Sequence, residues 1–270
     1  MRRISCLVAV VGLAFGAIAC GPPPPEHPIT DAERALRLYG SLRARARGMR
    51  AEADVDYFDD RGRVHLDAMM MMERPDRIRF DATTSFGSTG AILTSDGRRF
   101  ALLDLRDNRF LRGEPCARNI ARLIGVPLSA PDVATLMLGG APLIRHHDAS
   151  IRWDSDGHYV VTLRGDHDAV QTLHLGLREG DHLLPPQEQR TRLLMSEVRS
   201  GRRLVFRATF DDWRLIDGVA MAFRIRFEEP RTETDALLRF SRIELNPELP
   251  GYAFTQRPPG GVRVEDVSCD

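Results

Sequence analysis

Apolar residues recur at every second position through most of this chain, in segments that are separated by turn sequences. The segment 219–227 is the clearest, because five apolar residues share one face: Val219, Met221, Phe223, Ile225 and Phe227. Such alternation is typical of a β-strand whose two faces meet different surroundings. Asp-Gly pairs at 96–97, 156–157 and 217–218 favour tight hairpins, since both central residues of the turn need positive φ. Hairpins at this spacing predict one antiparallel sheet, strongly curved or closed.

Two regions depart from this alternation and are predicted to be helical. Residues 31–47 have apolar side chains at helical spacing, with Thr30 or Asp31 as the cap. An insertion at about 117–140 holds two more short helices, and Pro131 begins the second. We therefore predict a mainly β (α+β) fold. It is a half-open, strongly curved antiparallel β-barrel of about 11 strands, with an N-terminal helix and a helical insertion that forms a lid.

The first twenty residues have the layout of a secretory signal peptide. Arg2 and Arg3 precede an apolar run that is too short to span a bilayer, and small residues then lead to Cys20. A cysteine in this position resembles the lipobox of bacterial lipoproteins, which implies removal of residues 1–19 and acylation of Cys20. An ordinary secreted protein with a cysteine near the cleavage site is the other interpretation.

The residues after Cys20 bear on where such an anchor would be held. Gly21, and not an aspartate, would be the second residue of the mature chain, and by resemblance to enterobacterial lipoproteins this favours the outer membrane. The four prolines from Pro22 to Pro25 predict a stiff polyproline tether within residues 20–30. Residues 31–270 are expected to form one domain.

The four cysteines predict one disulfide bond. Cys6 would leave with the signal peptide and Cys20 would carry lipid, so Cys116 and Cys269 would remain in an oxidising compartment. Two thiols in such a compartment usually pair. We therefore predict a Cys116–Cys269 disulfide that fixes the C-terminal tail, residues 252–270, to the middle of the domain.

Composition and motifs argue against several classes of function. The 38 basic residues, all of them arginine, balance 38 acidic residues, so nothing points to a nucleic-acid partner. The sequence has no Gly-x-Ser-x-Gly elbow, no His-Glu-x-x-His motif and no phosphate-binding loop. We therefore expect no enzymatic activity and no cofactor.

Six histidines lie between His146 and His182, among several aspartates. A metal site needs its imidazoles on one face at a fixed geometry. No two of these histidines have helical i, i+4 spacing, and no pair shares a clear strand face across a short turn. We therefore expect solvated hairpin ends here and no metal site.

Two stretches resemble the LolA/LolB-like superfamily of lipoprotein carriers and receptors. MERPDRIRF at 72–80 is similar to a strand of LolA that begins at a proline, and ILTSDGR at 92–98 is similar to the hairpin that follows it there. FDDWR at 210–214 and IDG at 216–218 are similar more loosely. The resemblance covers most of residues 31–256. It implies a curved, half-open sheet with helices that close its mouth as a lid, over an apolar cavity that accepts acyl chains.

In such a fold, inward-facing residues of the strands would line the cavity, and residues of the insertion would form the lid. The candidates for the cavity wall are Leu66, Met70, Met72, Ile78, Phe80, Met221, Phe223, Ile225 and Phe227. The candidates for the lid are Ile120, Leu123, Ile124, Leu136 and Met137. Met70 and Met72 belong to a run of four methionines, which would give either an adaptable wall for acyl chains or ordinary core filling.

Phe86 is a lone aromatic residue in a loop rich in glycine and serine, residues 85–90. It can fold back on the core. It can also protrude as an apolar tip toward a membrane or a cargo protein, because the LolB-like pattern has an exposed hydrophobic loop at this place.

Together these features predict an outer-membrane lipoprotein that faces the periplasm of a Gram-negative bacterium. It would bind lipid, or the acyl chains of another lipoprotein, in an apolar cavity and act in their reception or trafficking. Its partners would be the membrane, through the anchor, a lipid or lipidated protein, and other envelope proteins. The alternative is a structural or scaffolding lipoprotein that uses the same fold to bind proteins. An envelope hydrolase is a third interpretation, which no motif supports.

Overall fold

Fourteen strands and three α-helices make up the described part of this computed structural model, which comprises residues 21–59, 62–83 and 88–269. The helices are α1 (Ala32–Arg43), α2 (Ala117–Ile124) and α3 (Ala130–Met137). The strands are β1 (Gly48–Asp59), β2 (Gly62–Glu73), β3 (Arg77–Thr83), β4 (Thr89–Asp96), β5 (Phe100–Asp104), β6 (Arg109–Gly113), β7 (Asp148–Trp153), β8 (His158–Arg164), β9 (Ala169–Leu177), β10 (Thr191–Ser200), β11 (Arg203–Ile216), β12 (Val219–Glu229), β13 (Thr234–Leu245) and β14 (Arg263–Val267).

All fourteen strands belong to one curved sheet, in the order β14-β6-β5-β4-β3-β2-β1-β13-β12-β11-β10-β9-β8-β7. Neighbouring strands in the sheet are consecutive in sequence, except at two places. The pairing of β1 with β13 joins the two halves of the chain, and β14 adds to β6 in parallel at the edge. The sheet is open, with β7 and β14 at its edges, so the prediction of a curved, mainly β fold is confirmed without closure into a barrel.

The prediction of about 11 strands is too low. The sheet is antiparallel except at one edge, where β14 pairs with β6 in parallel. Four of the five residues of β5 are buried, so this strand lacks the alternation that marks a half-buried one. None of the residues of β14 is buried, so it has no apolar face to reveal it. Its partner, β6, could not be inferred from the sequence.

The strands are long and antiparallel, so their turns gather at two ends of the sheet. Connections 59–62, 83–89 and 104–109 lie at one end, here called the cleft end. Turns 154–158 and 216–219 lie at the opposite end, here called the tether end. The pairings from β1 through β13 to β8 show which ends of the strands in the second half lie beside the cleft end and which beside the tether end.

The helices pack on the sheet and help to bury its inner face. Asp31 caps α1 by accepting a hydrogen bond from the backbone N–H of Arg34, and Ser129 caps α3 in the same way. Helix α1 contacts β7, β8 and β10, α3 contacts β3, and α2 contacts β4 and β5. Their buried side chains join those of the strands in one core.

The segment before α1 lies against the tether end. The indole N–H of Trp153 donates to the carbonyl oxygen of Pro22 at 3.0 Å, and the Gln189 amide donates to the carbonyl oxygen of His27 at 2.8 Å. The backbone N–H of Ile29 donates to the Tyr159 hydroxyl at 3.0 Å, and the Ile29 side chain is buried. Residues 22–29 therefore contact the domain at several points along the segment, and Pro25 and Ile29 are buried.

The predicted disulfide is confirmed. Cys116 and Cys269 are bonded, with their Cα atoms 6.1 Å apart. Cys116 lies at the N-terminal cap of α2, and Cys269 follows β14. The bond therefore ties α2 to the tail strand at the edge of the sheet. No helix among the described residues is long and apolar enough to cross a membrane.

Candidate functional site

A cleft of about 650 Å³ opens at the cleft end, between α2 and the strands β2–β5. Binding sites for small molecules have roughly 300–1,000 Å³, so the cleft is of a suitable size. Its apolar wall is formed by Val64, Leu66, Ala82, Ala91, Leu102, Leu105 and Leu123. Its polar groups include His65, Asp104, Arg106 and Arg122.

The wall of the cleft continues the protein core. Along the inner face of β2, Met72 is fully buried and Ala68 is 7% exposed, whereas Val64 at the cleft end is 49% exposed. Leu66 lies between these limits and packs against the core. The same apolar face is therefore core at one end of the strand and cleft surface at the other.

Helix α2 forms one side of the cleft and is held differently at its two ends. Its first residue follows Cys116, which is tied by the disulfide, and Ile120 is fully buried. Its last turn places Leu123 in the cleft and ends at Gly125, whose φ is +72°. The Tyr57 hydroxyl donates to the carbonyl oxygen of Gly125 at 3.4 Å, a long hydrogen bond. The N-terminal end of α2 is therefore held by the disulfide, and the C-terminal end lies against Tyr57.

Comparison with solved structures identifies the fold. A DUF1329 family protein from Desulfovibrio piger matches with a TM-score of 0.56 and 13% identity, over 83% of this chain and 95% of that one. A LolA superfamily protein from Nitrosomonas europaea matches with a TM-score of 0.55 and 14% identity, over 84% and 98% of the two chains. A domain from Vibrio parahaemolyticus described as an outer membrane lipoprotein-sorting protein matches with a TM-score of 0.52 and 13% identity, over 83% and 97%.

The chain has a LolA/LolB-like fold. The resemblance seen in two short motifs is thus confirmed at the level of the fold. By sequence, no protein-family model and no curated protein matches the chain.

Within this LolA/LolB-like fold, the nine candidates for the cavity wall separate into two groups. Leu66 lines the cleft. The other eight are buried in the core cluster: Met70, Met72, Ile78, Phe80, Met221, Phe223, Ile225 and Phe227. Met70 and Met72 point inward while Met69 is exposed, so in this arrangement the inner methionines fill the core.

The five candidates for the lid also separate. Leu123 of α2 lines the cleft, and Ile120 and Leu136 are buried. Ile124 and Met137 are partly buried against the core. The first helix of the insertion is therefore a wall of the cleft, while the second, α3, packs into the core beside β3.

Two predicted residues, Cys20 and Phe86, lie outside the described residues. The described neighbours of the loop 84–87 are Thr83 and Ser88, and both line the cleft. The loop that carries Phe86 therefore begins and ends at this site.

Sequence reasoning missed the two arginines of the cleft. Arg106 and Arg122 are exposed, and neither forms an ion pair with any described residue; the Arg122 guanidinium donates to the Asn119 side chain at 3.1 Å. Among 38 arginines no pattern marks these two. An apolar wall with guanidinium groups nearby suits an amphiphile with an anionic head.

A second pocket, of about 270 Å³, is polar and its charges are already paired. Asp56 accepts hydrogen bonds from Arg239 at 2.9 Å and Arg63 at 2.7 Å. These two guanidinium groups hold the pKa of Asp56 well below its ordinary value. Arg226 pairs with Asp235 in the same pocket at 2.6 Å. This pocket is a network of ion pairs and holds no apolar wall comparable to that of the cleft.

Two histidines of the histidine-rich stretch lie together, although the sequence predicted that none would share a strand face. His158 of β8 and His174 of β9 have ring centroids 6.3 Å apart. The register pairs His158 with Gly176 and Val160 with His174, so the two imidazoles lie diagonally on one face. Burial lowers the pKa of His174, which favours its neutral imidazole.

Proposed function

We propose that this protein is a lipoprotein, anchored at Cys20 in the outer membrane and facing the periplasm. It binds lipid or the acyl chains of another lipoprotein in the cleft between α2 and β2–β5, and it acts in their reception or trafficking. The observation that carries the proposal is the apolar wall of the cleft, which is continuous with the core of a LolA/LolB-like fold.

Burial of apolar surface supplies the driving force for such binding. Each Å² of apolar surface removed from water contributes about 25 cal/mol, and each buried CH2 group about 0.8 kcal/mol. An acyl chain that covers Val64, Leu66, Leu105 and Leu123 would gain this energy without covalent chemistry. No enzymatic step is needed.

The structural neighbours support the same class of function. One is a LolA superfamily protein, and another is described as an outer membrane lipoprotein-sorting protein. The neighbours share the fold at 13–14% identity, so the ligand of this chain has to be established on the chain itself.

The test compares two arginine substitutions on one strand. Leu66→Arg places a charge in the cleft, whereas Met69→Arg places one on the opposite, exposed face of β2. Residues 20–270 with Cys20→Ser would be titrated with a dansyl-labelled C11 fatty acid, and the purified protein would be examined by native mass spectrometry for bound lipid. We expect binding by the parent and by Met69→Arg, and a loss of at least tenfold in affinity for Leu66→Arg.

Near-UV circular dichroism would show that both variants keep the fold. Equal affinity of Leu66→Arg and the parent would refute the cleft as the site. Protein that carries no lipid and does not bind the probe would refute acyl binding and favour the scaffolding function.

A further inference from the structure

Three side chains near the tether end converge on one point. Asp154 follows β7, and it faces the imidazoles of His158 and His174. The Asp154 Oδ2 atom lies 3.9 Å from His158 Nδ1 and 3.6 Å from His174 Nδ1. One ligand atom from each of the three residues lies within 4.8 Å of the other two.

The aspartate is fixed by its own turn. Asp154 Oδ1 accepts hydrogen bonds from the backbone N–H groups of Asp156 at 3.0 Å and His158 at 2.9 Å. These bonds orient the carboxylate and direct Oδ2 to the imidazoles. The side chain is only 9% exposed, and the two histidines lie on paired strands. The three groups are therefore held in place by backbone structure.

We propose that Asp154, His158 and His174 bind a Zn²⁺ ion, with the fourth position open to water. Imidazole nitrogen and carboxylate oxygen bind zinc at about 2.0–2.2 Å in a tetrahedral arrangement, in which neighbouring ligand atoms are about 3.3 Å apart. The observed separations of 3.6 and 3.9 Å need to close by less than 1 Å to reach it. The ligand nitrogens of the two imidazoles also lie within 4.8 Å of each other, so all three ligand atoms surround one point.

The ion would also reinforce the surface on which the N-terminal segment lies. Gly157 of the same turn is in contact with Pro22, so that a Cβ on Gly157 would lie 3.0 Å from the Pro22 ring. Trp153, which precedes Asp154, donates to the carbonyl oxygen of Pro22. A metal that fixes the turn 154–158 would therefore stabilise the docking of residues 22–29.

The test is calorimetric titration of the untagged Cys20→Ser protein with ZnCl2, after removal of metal with EDTA. We expect one ion per chain with micromolar affinity, a loss of at least tenfold in His158→Ala and His174→Ala, and the same in Asp154→Asn. The asparagine keeps a side-chain oxygen for the turn and removes the charge. His147→Ala is the matched control, since His147 is exposed, lies in the same histidine-rich stretch and does not belong to the metal-ligating group found among the described residues.

Two outcomes would overturn the proposal. One is absence of zinc binding at millimolar concentration. The other is a loss in His147→Ala as large as that in His174→Ala, which would indicate nonspecific surface binding. Thermal unfolding serves as the check on folding. Without zinc, all variants should melt close to the parent, and zinc should raise the Tm of the parent and of His147→Ala alone.

Discussion

At the scale of single residues, glycine is required at position 125 for two separate reasons. Its φ of +72° is unfavourable for any residue with a side chain, and a Cβ there would overlap the ring of Tyr57. Gly180 has a similar φ of +85° but nothing within 4 Å of such a Cβ. Substitution of Gly180 therefore measures the cost of backbone strain alone, whereas substitution of Gly125 adds the cost of the overlap with Tyr57.

We expect Gly125→Ala to lower the free energy of unfolding by about 2–3 kcal/mol, and Gly180→Ala by about 1 kcal/mol. Chemical denaturation would measure both. In a Tyr57→Ala background, Gly125→Ala should cost less free energy than it does in the parent, because the overlap is absent. Equal losses of unfolding free energy for the two glycine variants would show that the Tyr57 ring does not hinder a side chain at position 125.

His146 links α1 to the segment before β7 and makes stability depend on pH. Its imidazole lies 3.0 Å from a carboxylate oxygen of Glu33, and this hydrogen bond raises the pKa of His146 above 6.5. A raised pKa in the folded state gives stability that is fully present below the unfolded value and is lost as the pH rises through the folded value. Half of the Glu33 side chain is exposed, so the effect is at most about 1 kcal/mol.

Glu33→Gln should therefore lower the Tm at pH 5.5 and have a smaller effect at pH 8.5. Identical losses at the two pH values would contradict the assignment.

At the scale of elements, β14 is held by bonds rather than by burial. None of its residues is fully buried, although Val267 packs partly against the core. Its other attachments include the parallel pairing with β6, the ion pair of Arg112 with Asp266 at 2.6 Å and the disulfide. The disulfide bridges a sequence separation of 153, for which the chain-entropy model gives about 5 kcal/mol of stabilisation as an upper value.

In the double variant Cys116→Ser/Cys269→Ser, we expect lower stability and loss of amide protection at 263–267. Protection in β12, which lies in the middle of the sheet, should remain in hydrogen exchange at low denaturant. A tail strand that stays protected in the double variant would show that the pairing with β6 is sufficient by itself.

The elements also show what a single sequence can and cannot predict. Alternation located β2 and β12 because each has one buried and one exposed face, and it assigned Met70 and Met72 to the inner one. It could not give the register between β8 and β9, so the meeting of His158 with His174 was missed. The cleft arises where α2 meets β2–β5, and only Leu66 and Leu123 of its wall stood among the candidates. Contacts between distant segments are not encoded in the local pattern of either one.

At the scale of the whole molecule, the anchor can be tested independently of the cleft. In Gram-negative cells, Cys20→Ser should move the protein from the membrane fraction to the soluble fraction, because several acyl chains on one cysteine give a lasting hold and their loss removes it. Cys6→Ser, within the same N-terminal region, should leave the distribution unchanged. A Cys20→Ser protein that remains with the membrane would refute lipidation at this position.

The packed N-terminal segment has a consequence for how the molecule would stand on its membrane. Gly21 is in contact with Ser155 at the tether end, so a lipid on Cys20 would leave the protein there, with no slack in the chain. The strands β1 and β2 have 12 residues each and run from that end to the other, a length of about 40 Å. The mouth of the cleft would therefore be raised by that height and would face the interior of the periplasm. In this orientation, the protein would take an acyl chain from a partner that arrives across the periplasm. Delivery of the chain to the anchoring bilayer would require residues 22–29 to detach from the domain.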